Sequence, residues 1–205
     1  VSFGDLGWMN GAAALTITLW LKIDLVPGTE RGWAVKATGA TNQVNCRVTS
    51  TPALRCYISG VNGIGGTTLI PARWYHGAMV SAGAEPTMRL YLNGGLESLT
   101  VAGGVGPSTL SSTTANYELA NDPATAATFL DGKLGCHKVW TAALTQPEVS
   151  VEMHSCGPRR SANLRIWTPL DDGTAGRDMS GGANHGTVSG AVQRPDFPPT
   201  LYGGE

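Results

Sequence analysis

Apolar and polar residues alternate with a period of two through much of the chain. The clearest case lies between Leu15 and Leu25, where every odd-numbered position is large and apolar. The even-numbered positions hold Thr, Lys and Asp together with Trp20. This pattern predicts a half-buried β-strand with one dry face, because successive side chains of a strand point to opposite sides. The strand is ended by the turn-forming sequence VPGTERG.

The segment QVNCRVTSTPALRCYIS predicts a β-hairpin. Folding it about Thr51 brings three pairs onto one face: Val44 with Ile58, Cys46 with Cys56, and Val48 with Leu54. A hairpin requires such a shared face, since its register decides which side chains are buried together. Residues 49–53 form the predicted turn, where Pro52 supplies a fixed φ.

A second hairpin is predicted from RWYHGAMV and MRLYLNGG, folded about Ala84. The first face then carries the pairs His76 with Leu92, Ala78 with Leu90, and Val80 with Met88. The opposite face carries Tyr75, Gly77, Met79, Arg89, Tyr91 and Asn93, with Gly77 opposite the ring of Tyr91. The sequence Asn93-Gly94-Gly95 predicts a tight turn after the hairpin.

The period changes once, near residue 145. Thr145 and Glu148 have the spacing of a capping box, and Pro147 stands in a first helical turn, where its missing N–H costs no hydrogen bond. The sequence therefore predicts one short helix near residues 146–154, ended by Gly157 and Pro158.

The remaining elements complete an all-β domain. NYELAN and NLRIWTPL predict further strands, whereas residues 60–66 and 103–114 predict loops. Strand signals about every ten residues, separated by turns, are typical of a sandwich or jelly roll. No linker-like stretch divides the chain, so we predict a single domain over residues 1–205, with residues 176–205 as a glycine-rich closing segment and tail.

Composition narrows the function classes. The chain has 205 residues, a net charge of −1 and only 14% charged residues, and it is rich in glycine, with 28 residues. This balance gives no electrostatic attraction to nucleic acid or to acidic membranes. No stretch approaches the roughly 20 apolar residues of a membrane span. We therefore expect neither a nucleic-acid partner nor membrane insertion.

Several motifs carry a resemblance to a known family. LTITLWLKID, RWYHGAMV followed by MRLYLNGG, and FLDGKLGCHKVWTAALTQPEV occur in the order seen in laminin-G-like domains of the concanavalin A-like lectin/glucanase superfamily. The closing WTPLDDGTAGRDMSGGANHGTVSG is similar to an element of the same family, although there it commonly opens the domain. The resemblance implies a jelly roll of two antiparallel sheets, with the short helix capping one edge or end of the sandwich.

The same resemblance implies a structural calcium ion. Relatives hold Ca²⁺ with Asp side chains and loop carbonyls, and the corresponding residues here are Asp5 and Asp131. The alternative is that Asp131 and Gly132 form an ordinary turn in which the Asp side chain bonds local backbone. Asp178 and Asn184 form a second candidate loop clip.

Four cysteines permit two disulfides. Cys46 and Cys56 lie opposite each other in the first predicted hairpin, at a separation that suits a disulfide. Cys136 and Cys156 would join the late strand to the end of the helix. Buried free thiols are the alternative. An even cysteine count favours an oxidising setting, and we therefore expect an extracellular or particle-surface location.

Four side chains are candidates for ligand binding. Trp20 lies opposite the apolar row of its strand, and Tyr75, Arg89 and Tyr91 share one face of the second predicted hairpin. Exposed aromatic faces stack on sugar rings, so these residues could line a glycan site. Alternatively, this second sheet face is also covered and the rings pack against whatever covers it.

Catalytic signatures are weak. Glycoside hydrolysis needs two carboxyl groups close together, yet no two acidic residues are spaced two apart as neighbours on one strand face must be. Glu148 and Glu152 share a helix face, where we expect them to serve as a cap and as solvated surface. The four histidines lack zinc-ligand spacing, and nucleophile motifs are missing.

Three functions follow in order of preference. The first is a non-catalytic recognition or adhesion module that binds a glycan or a surface partner through rim loops. The second is a structural or decoration component of a virus (phage) particle or another large assembly, with neighbouring subunits as partners. The third is a glycoside hydrolase.

Overall fold

The computed structural model describes residues 1–38, 42–82, 88–101, 109–123, 129–170, 176–192, 196 and 198–199. Within these residues the chain forms twelve β-strands and one α-helix. The strands are β1 (Ala14–Ile23), β2 (Arg31–Ala37), β3 (Asn42–Val48), β4 (Leu54–Ile58), β5 (Val61–Gly65), β6 (Trp74–Ala82), β7 (Met88–Leu92), β8 (Gly95–Leu96), β9 (Leu99–Val101), β10 (Glu118–Leu119), β11 (Gly132–Trp140) and β12 (Leu164–Thr168). The helix α1 spans Gln146–Met153.

The described strands form two sheets of six. The first, called here the helix-bearing sheet, has the order β12-β11-β1-β6-β7-β8, and the second, called the polar sheet, has the order β10-β2-β3-β4-β5-β9. Neighbouring strands in both sheets run antiparallel. The structure thus confirms the predicted sandwich of two antiparallel sheets.

Strand β1 supplies the central row of the core. Its odd-numbered positions from Leu15 to Ile23 are at most 1% exposed and pack against the polar sheet. The even-numbered positions are also buried, so β1 is covered on both sides rather than half-buried as predicted. Leu25, which the alternation placed in the buried row, lies beyond the strand and is 66% exposed.

The first hairpin is confirmed in its register. Val44 pairs with Ile58, Cys46 with Cys56, and Val48 with Leu54 across β3 and β4. Thr49 closes the predicted turn, because its backbone N–H donates to the Ala53 carbonyl and its hydroxyl accepts from the Ala53 N–H, at 3.0 and 3.1 Å.

The second hairpin is shifted by one residue from its predicted register. Gly77 pairs with Leu92, Ala78 with Tyr91, Met79 with Leu90, and Val80 with Arg89. The slip turns the β6 side chains to the face opposite the predicted one, whereas Leu90 and Leu92 of β7 stay in the core. The predicted pivot, Ala84, lies outside the described residues.

This shift places Gly77 in the core rather than under a tyrosine ring. A Cβ atom there would lie 3.1 Å from Leu21 Cδ2 and 3.4 Å from Leu54 Cδ1. The turn after β7 forms as predicted, since Asn93 and Gly94 both have positive φ, at 50° and 78°, as a two-residue hairpin turn requires.

Helix α1 begins with the predicted capping box. The Thr145 hydroxyl accepts from the Glu148 N–H, and the Glu148 carboxylate accepts from the Thr145 N–H at 2.8 Å. The helix lies over the outer face of the helix-bearing sheet, not over an edge or end as the resemblance implied. A separate apolar cluster fills the space between them: Ala78, Val80, Tyr91, Trp140, Leu144 and Val149.

The two predicted loops have different outcomes. Residues 60–66 contain strand β5, because Val61, Asn62 and Gly63 continue the pairing of β4 despite their glycine-rich context. Within the predicted loop 103–114, residues 103–108 lie outside the described residues, and residues 109–114 have no regular secondary structure.

The closing segment returns to the start of the chain. Ser2 and Thr187 exchange two backbone hydrogen bonds of 2.9 and 2.7 Å, and Ser2 also bridges to Glu118. Residues 193–195, 197 and 200–205 of the predicted tail lie outside the described residues, so the single-domain boundary at residue 205 stays a prediction.

Candidate functional site

Six side chains of the polar sheet point away from the core in two rows. Alternation along β3, β4 and β5 turns every second residue outward once the inward register is set. The first row is Asn45, Tyr57 and Asn62, and the second is Arg47, Arg55 and Ile64. These six residues, together with the carboxylates of Glu30 and Asp122 that pair with the arginines, are called the polar face.

Two arginines stand directly opposite each other on the polar face. Like charges in this position destabilise a sheet unless an anion joins them. Glu30 joins the two arginines, because its two carboxylate oxygens accept from Arg55 Nη1 at 2.5 Å and from Arg47 Nη1 at 3.0 Å. Asp122 lies 2.5 Å from Arg47 Nη2. Two cations and two carboxylates thus balance each other.

The two asparagines hold the guanidinium groups in place. Asn45 Oδ1 accepts from Arg47 Nε at 2.7 Å, and Asn62 Oδ1 accepts from Arg55 Nε at 2.9 Å. Tyr57 lies between the asparagines and is partly exposed. The polar face is therefore pre-organised, since rotamers locked by hydrogen bonds need little further ordering when a ligand binds.

Glu30 remains an ionised acceptor. Burial raises the pKa of its carboxyl group, but hydrogen bonds from Arg55 and Arg47 outweigh burial and hold the pKa below its usual range. The group can therefore accept hydrogen bonds from a ligand, whereas it is a poor proton donor at neutral pH.

This arrangement suits a polyhydroxylated ligand. Each hydroxyl group both donates and accepts a hydrogen bond, and the polar face offers arginine donors beside carboxylate acceptors. Tyr57 adds an aromatic surface with a polar tip. The side chains of Arg47, Arg55 and Glu30 are 20%, 30% and 26% exposed, so a ligand can reach them.

Among the described carboxyl groups, no clear upward pKa shift is found. A glycosidase needs one carboxyl group with a raised pKa. Wherever the pKa of a described carboxyl group is clearly shifted, the shift is downward: Glu30, Glu148, Asp178 and Asp196.

Three of the four predicted ligand-binding residues are buried. Trp20 is 6% exposed, and its indole N–H donates to the Met153 carbonyl of α1 at 3.2 Å. Tyr91 is 3% exposed beneath the helix, and Tyr75 is 7% exposed in the core between the sheets. None of these rings has an open face for a sugar, because α1 and the opposite sheet cover them. Arg89 is partly exposed on β7.

The two predicted calcium ligands are not brought into a common cluster. The Asp5 carboxylate accepts from the buried Lys36 ammonium at 2.8 Å. Asp131 is exposed at the start of β11, where its carbonyl accepts from the Asp24 N–H. Within the described ranges no group of three or more His, Cys, Asp or Glu side chains is placed to hold a metal ion. Calcium binding stays a prediction.

The cysteines meet in the two predicted pairs. Cys46 and Cys56 are joined across β3 and β4 with their Cα atoms 4.1 Å apart. Cys136 and Cys156 are joined with their Cα atoms 4.8 Å apart, which ties β11 to the segment after α1. Cys136 has a φ of 52° within a bulge of β11, and the bulge directs its side chain toward the helix end.

The closing segment contains a clip centred on Asp178. Its carboxylate accepts from the backbone N–H groups of Trp167, Ser180 and Asn184, at 2.9–3.0 Å. Burial raises the pKa of Asp178, and these bonds lower it further than burial raises it. The predicted pairing with Asn184 forms directly, with 3.2 Å between Asn184 Nδ2 and Asp178 Oδ2.

A laminin-G-type family model, described as the concanavalin A-like lectin/glucanases superfamily, matches residues 1–150. This match confirms the resemblance seen in the sequence motifs. It ends within α1, so β12 and the closing segment lie beyond it. No curated protein matches the chain in sequence.

Solved structures share the fold at low sequence identity. A proposed carbohydrate-binding protein from Bacteroides ovatus has a TM-score of 0.65 and 16% identity over 84% of this chain, which spans only 49% of that protein. A pentraxin from Limulus polyphemus has a TM-score of 0.56 and 22% identity, with 74% of each chain covered. The CBM40 module of a Ruminococcus gnavus sialidase, bound to α2,3-sialyllactose, has a TM-score of 0.57 and 13% identity, covering 72% of this chain and 90% of the module.

The described part of the chain holds no helix whose length and apolar content would let it cross a membrane.

Proposed function

The chain belongs to the concanavalin A-like lectin/glucanase superfamily, and from that premise we propose that it is a non-catalytic module that binds glycans through the polar face. The observation that carries this proposal is the pairing of Arg47 and Arg55 across two strands, with Glu30 bridging them. Fixed donors and acceptors with partial exposure are what recognition of sugar hydroxyls needs.

The charge balance of the polar face indicates which sugars it accepts. Arg47 and Arg55 already have Glu30 and Asp122 as partners, so an anionic sugar would gain little net attraction and would be repelled by the carboxylates. We therefore expect neutral glycans to bind at this face through their hydroxyl groups.

Structural relatives support the same class of function. One is a CBM40 module bound to sialyllactose, and another is a domain of an extracellular arabinanase in complex with arabinotriose. Binding modules that accompany a catalytic domain need no catalytic carboxyl pair of their own, which agrees with the downward pKa shifts here. With two disulfides in the structure, an extracellular location follows as part of the proposal.

Among the described residues we identify no contact that favours a role in a virus particle. The decoration-protein alternative therefore stays a prediction.

A glycan array tests the proposal, with the unaltered chain compared against Arg55→Ala and Tyr57→Ala. We expect the unaltered chain to bind one or more neutral glycans and each variant to bind them at least about tenfold more weakly, a loss of about 1.4 kcal/mol. Arg73→Ala is the matched control, because Arg73 is exposed and lies outside the polar sheet. Thermal melting confirms that all variants fold.

The remaining outcomes discriminate among alternatives. Retained binding in both polar-face variants, together with loss in Arg89→Ala, would move the site to the helix-bearing sheet. Binding of no glycan at all would contradict the proposal and favour a protein partner. Repeating the array with a chelator tests the calcium prediction, since a bound ion that shapes the site would make binding sensitive to chelation.

A further inference from the structure

A second row of side chains crosses the outer face of the helix-bearing sheet beyond the end of α1. Lys133, Lys22 and Trp74 lie directly opposite one another on β11, β1 and β6. Lys22 is two residues from Trp20, whose indole contacts α1, so both side chains point to the same outer face. These three residues are called the lysine row.

The lysine row requires an anion. Two ammonium groups opposite each other on neighbouring strands repel, and only 10% of the Lys22 side chain is exposed to solvent that could screen this repulsion. The Lys22 ammonium lies 5.7 Å from the centre of the Trp74 ring, which offers a weak attraction. Neither solvent screening nor the Trp74 ring neutralises the charge of Lys133.

The chain supplies that anion from its own tail. The carboxylate of Asp196 accepts from Lys133 Nζ at 2.9 Å and from Trp74 Nε1 at 3.0 Å, and it also pairs with Lys22 Nζ. Three donors on three strands thus converge on one carboxylate. Hydrogen bonds from Lys22, Lys133 and Trp74 lower the pKa of Asp196, so the bound group is the charged form.

The tail reaches this point after an exposed stretch that begins at the Ser2–Thr187 pairing. Residues 187–192 are exposed, whereas Asp196 is partly buried and Pro198 is buried. Pro198 lies against Gly135 of β11, where a Cβ atom would come within 2.7 Å of Pro198 Cγ. In the described part of the tail, Asp196 and Pro198 therefore provide the docking contacts.

We propose that the lysine row is a carboxylate-binding site, that Asp196 occupies it in the free protein, and that the carboxylate of an acidic sugar such as a uronic acid replaces Asp196 there. The donors belong to the sheet and persist when the tail leaves. Vacating the site would leave both lysines without a hydrogen-bonded carboxylate, with only the charge of Asp24 still near Lys133, so an incoming carboxylate recovers the interaction that the tail gives up. This site is on the opposite sheet from the polar face and selects charge rather than hydroxyl groups.

The test uses Asp196→Ala, which removes the internal occupant. The indole N–H signal of Trp74 is followed by NMR, assigned with Trp74→Phe, while glucuronate or neutral glucose is added. We expect Asp196→Ala to bind glucuronate at least about tenfold more tightly than the unaltered chain, because the tail no longer competes. Glucose leaves the signal unchanged. Adding Lys133→Met to Asp196→Ala abolishes the glucuronate response, whereas adding Arg55→Ala does not.

Three results overturn the proposal. The first is that glucuronate fails to shift the Trp74 signal in Asp196→Ala while thermal melting shows a folded protein. The second is an equal response to glucose, or a response that survives Lys133→Met. The third is that a peptide of residues 193–199 binds Asp196→Ala but glucuronate does not, since the row would then be a latch for the tail alone. Each result leaves glycan binding at the polar face untouched.

Discussion

Lys138 and Glu152 form an ion pair at the interface between β11 and α1, with 2.7 Å between Nζ and Oε2 and 1% exposure of each side chain. The ammonium also donates to the carbonyl groups of Glu152 and Ser155 at 3.0 and 2.7 Å. The second carboxylate oxygen accepts from the backbone N–H groups of Arg159 and Arg160. Glu152, predicted to be solvated helix surface, instead fastens the helix to the sheet.

Breaking this pair should destabilise the protein strongly. We expect Lys138→Met to lower the free energy of unfolding by about 3–5 kcal/mol, because Glu152 would be left as a buried charge without its cation. Urea denaturation measures the change. The double variant Lys138→Met with Glu152→Leu should recover part of the loss. A change below about 0.5 kcal/mol in the single variant would show that the pair is solvated.

Stability should fall with mild acid because of two histidines. Burial lowers the pKa of His76 and of His137 to about 3. The unfolded chain binds these protons near pH 6.5, whereas the folded chain does not, so stability is complete above pH 6.5 and is lost as pH falls toward 3. Urea denaturation between pH 7 and pH 4.5 should show a loss approaching about 1.4 kcal/mol per pH unit for each histidine.

His76→Leu isolates one of the two histidines. Neither ring nitrogen of His76 has a hydrogen-bond partner among the described residues. His137 bonds the Tyr117 hydroxyl and the Thr18 carbonyl, each at 3.2 Å. His76→Leu should therefore halve the slope of stability against pH without the loss of a hydrogen bond. An unchanged slope in this variant would contradict the assignment.

The two disulfides should contribute similar stability but protect different regions. Their loops span 10 and 20 residues, for which loop closure predicts about 3 kcal/mol each. Cys136→Ala with Cys156→Ala should speed amide hydrogen exchange in α1, whereas Cys46→Ala with Cys56→Ala should speed it in β3 and β4. Mass spectrometry after exchange locates the effect. Identical exchange patterns in the two double variants would refute this division.

Gly132→Ala should destabilise the β1–β11 pairing. A Cβ atom at Gly132 would overlap the backbone carbonyl of Lys22, which cannot move without shifting β1. We expect a loss of about 1–3 kcal/mol by thermal or urea denaturation, the usual cost of overpacking. Gly28→Ala is the matched control, since that site is exposed with open space around it, and its effect should lie within about 0.5 kcal/mol.

The sequence predicted which strands pair locally better than it predicted whether one or both faces of a strand are buried. The first hairpin was predicted correctly because its turn is closed by Thr49 and Pro52 and all six inward residues are apolar. The second failed by one residue because either face of RWYHGAMV can be buried: odd positions face the core, and even positions face α1. Alternation alone cannot distinguish two dry faces from one.

Some residues of the candidate site could be predicted from the sequence, and others could not. Arg47, Arg55 and Tyr57 are the outward positions of the hairpin that was predicted correctly, so the same register placed them on one face. Glu30 and Asp122 were not predictable, because they come from segments that meet only in the folded sandwich. The same is true of Asp196, which lies 174 residues from Lys22 along the chain.

The attachment of α1 braces the helix-bearing sheet from its outer side. At one end Gln146 and Ser150 hold the Gly94 carbonyl beside the edge strand β8, and at the other the Cys136–Cys156 link fastens the segment after the helix to β11. The helix is therefore fastened at both ends and stiffens the strands beneath it against bending. The polar sheet has its own cross-link between Cys46 and Cys56, so both layers offer a bound molecule a surface that keeps its shape.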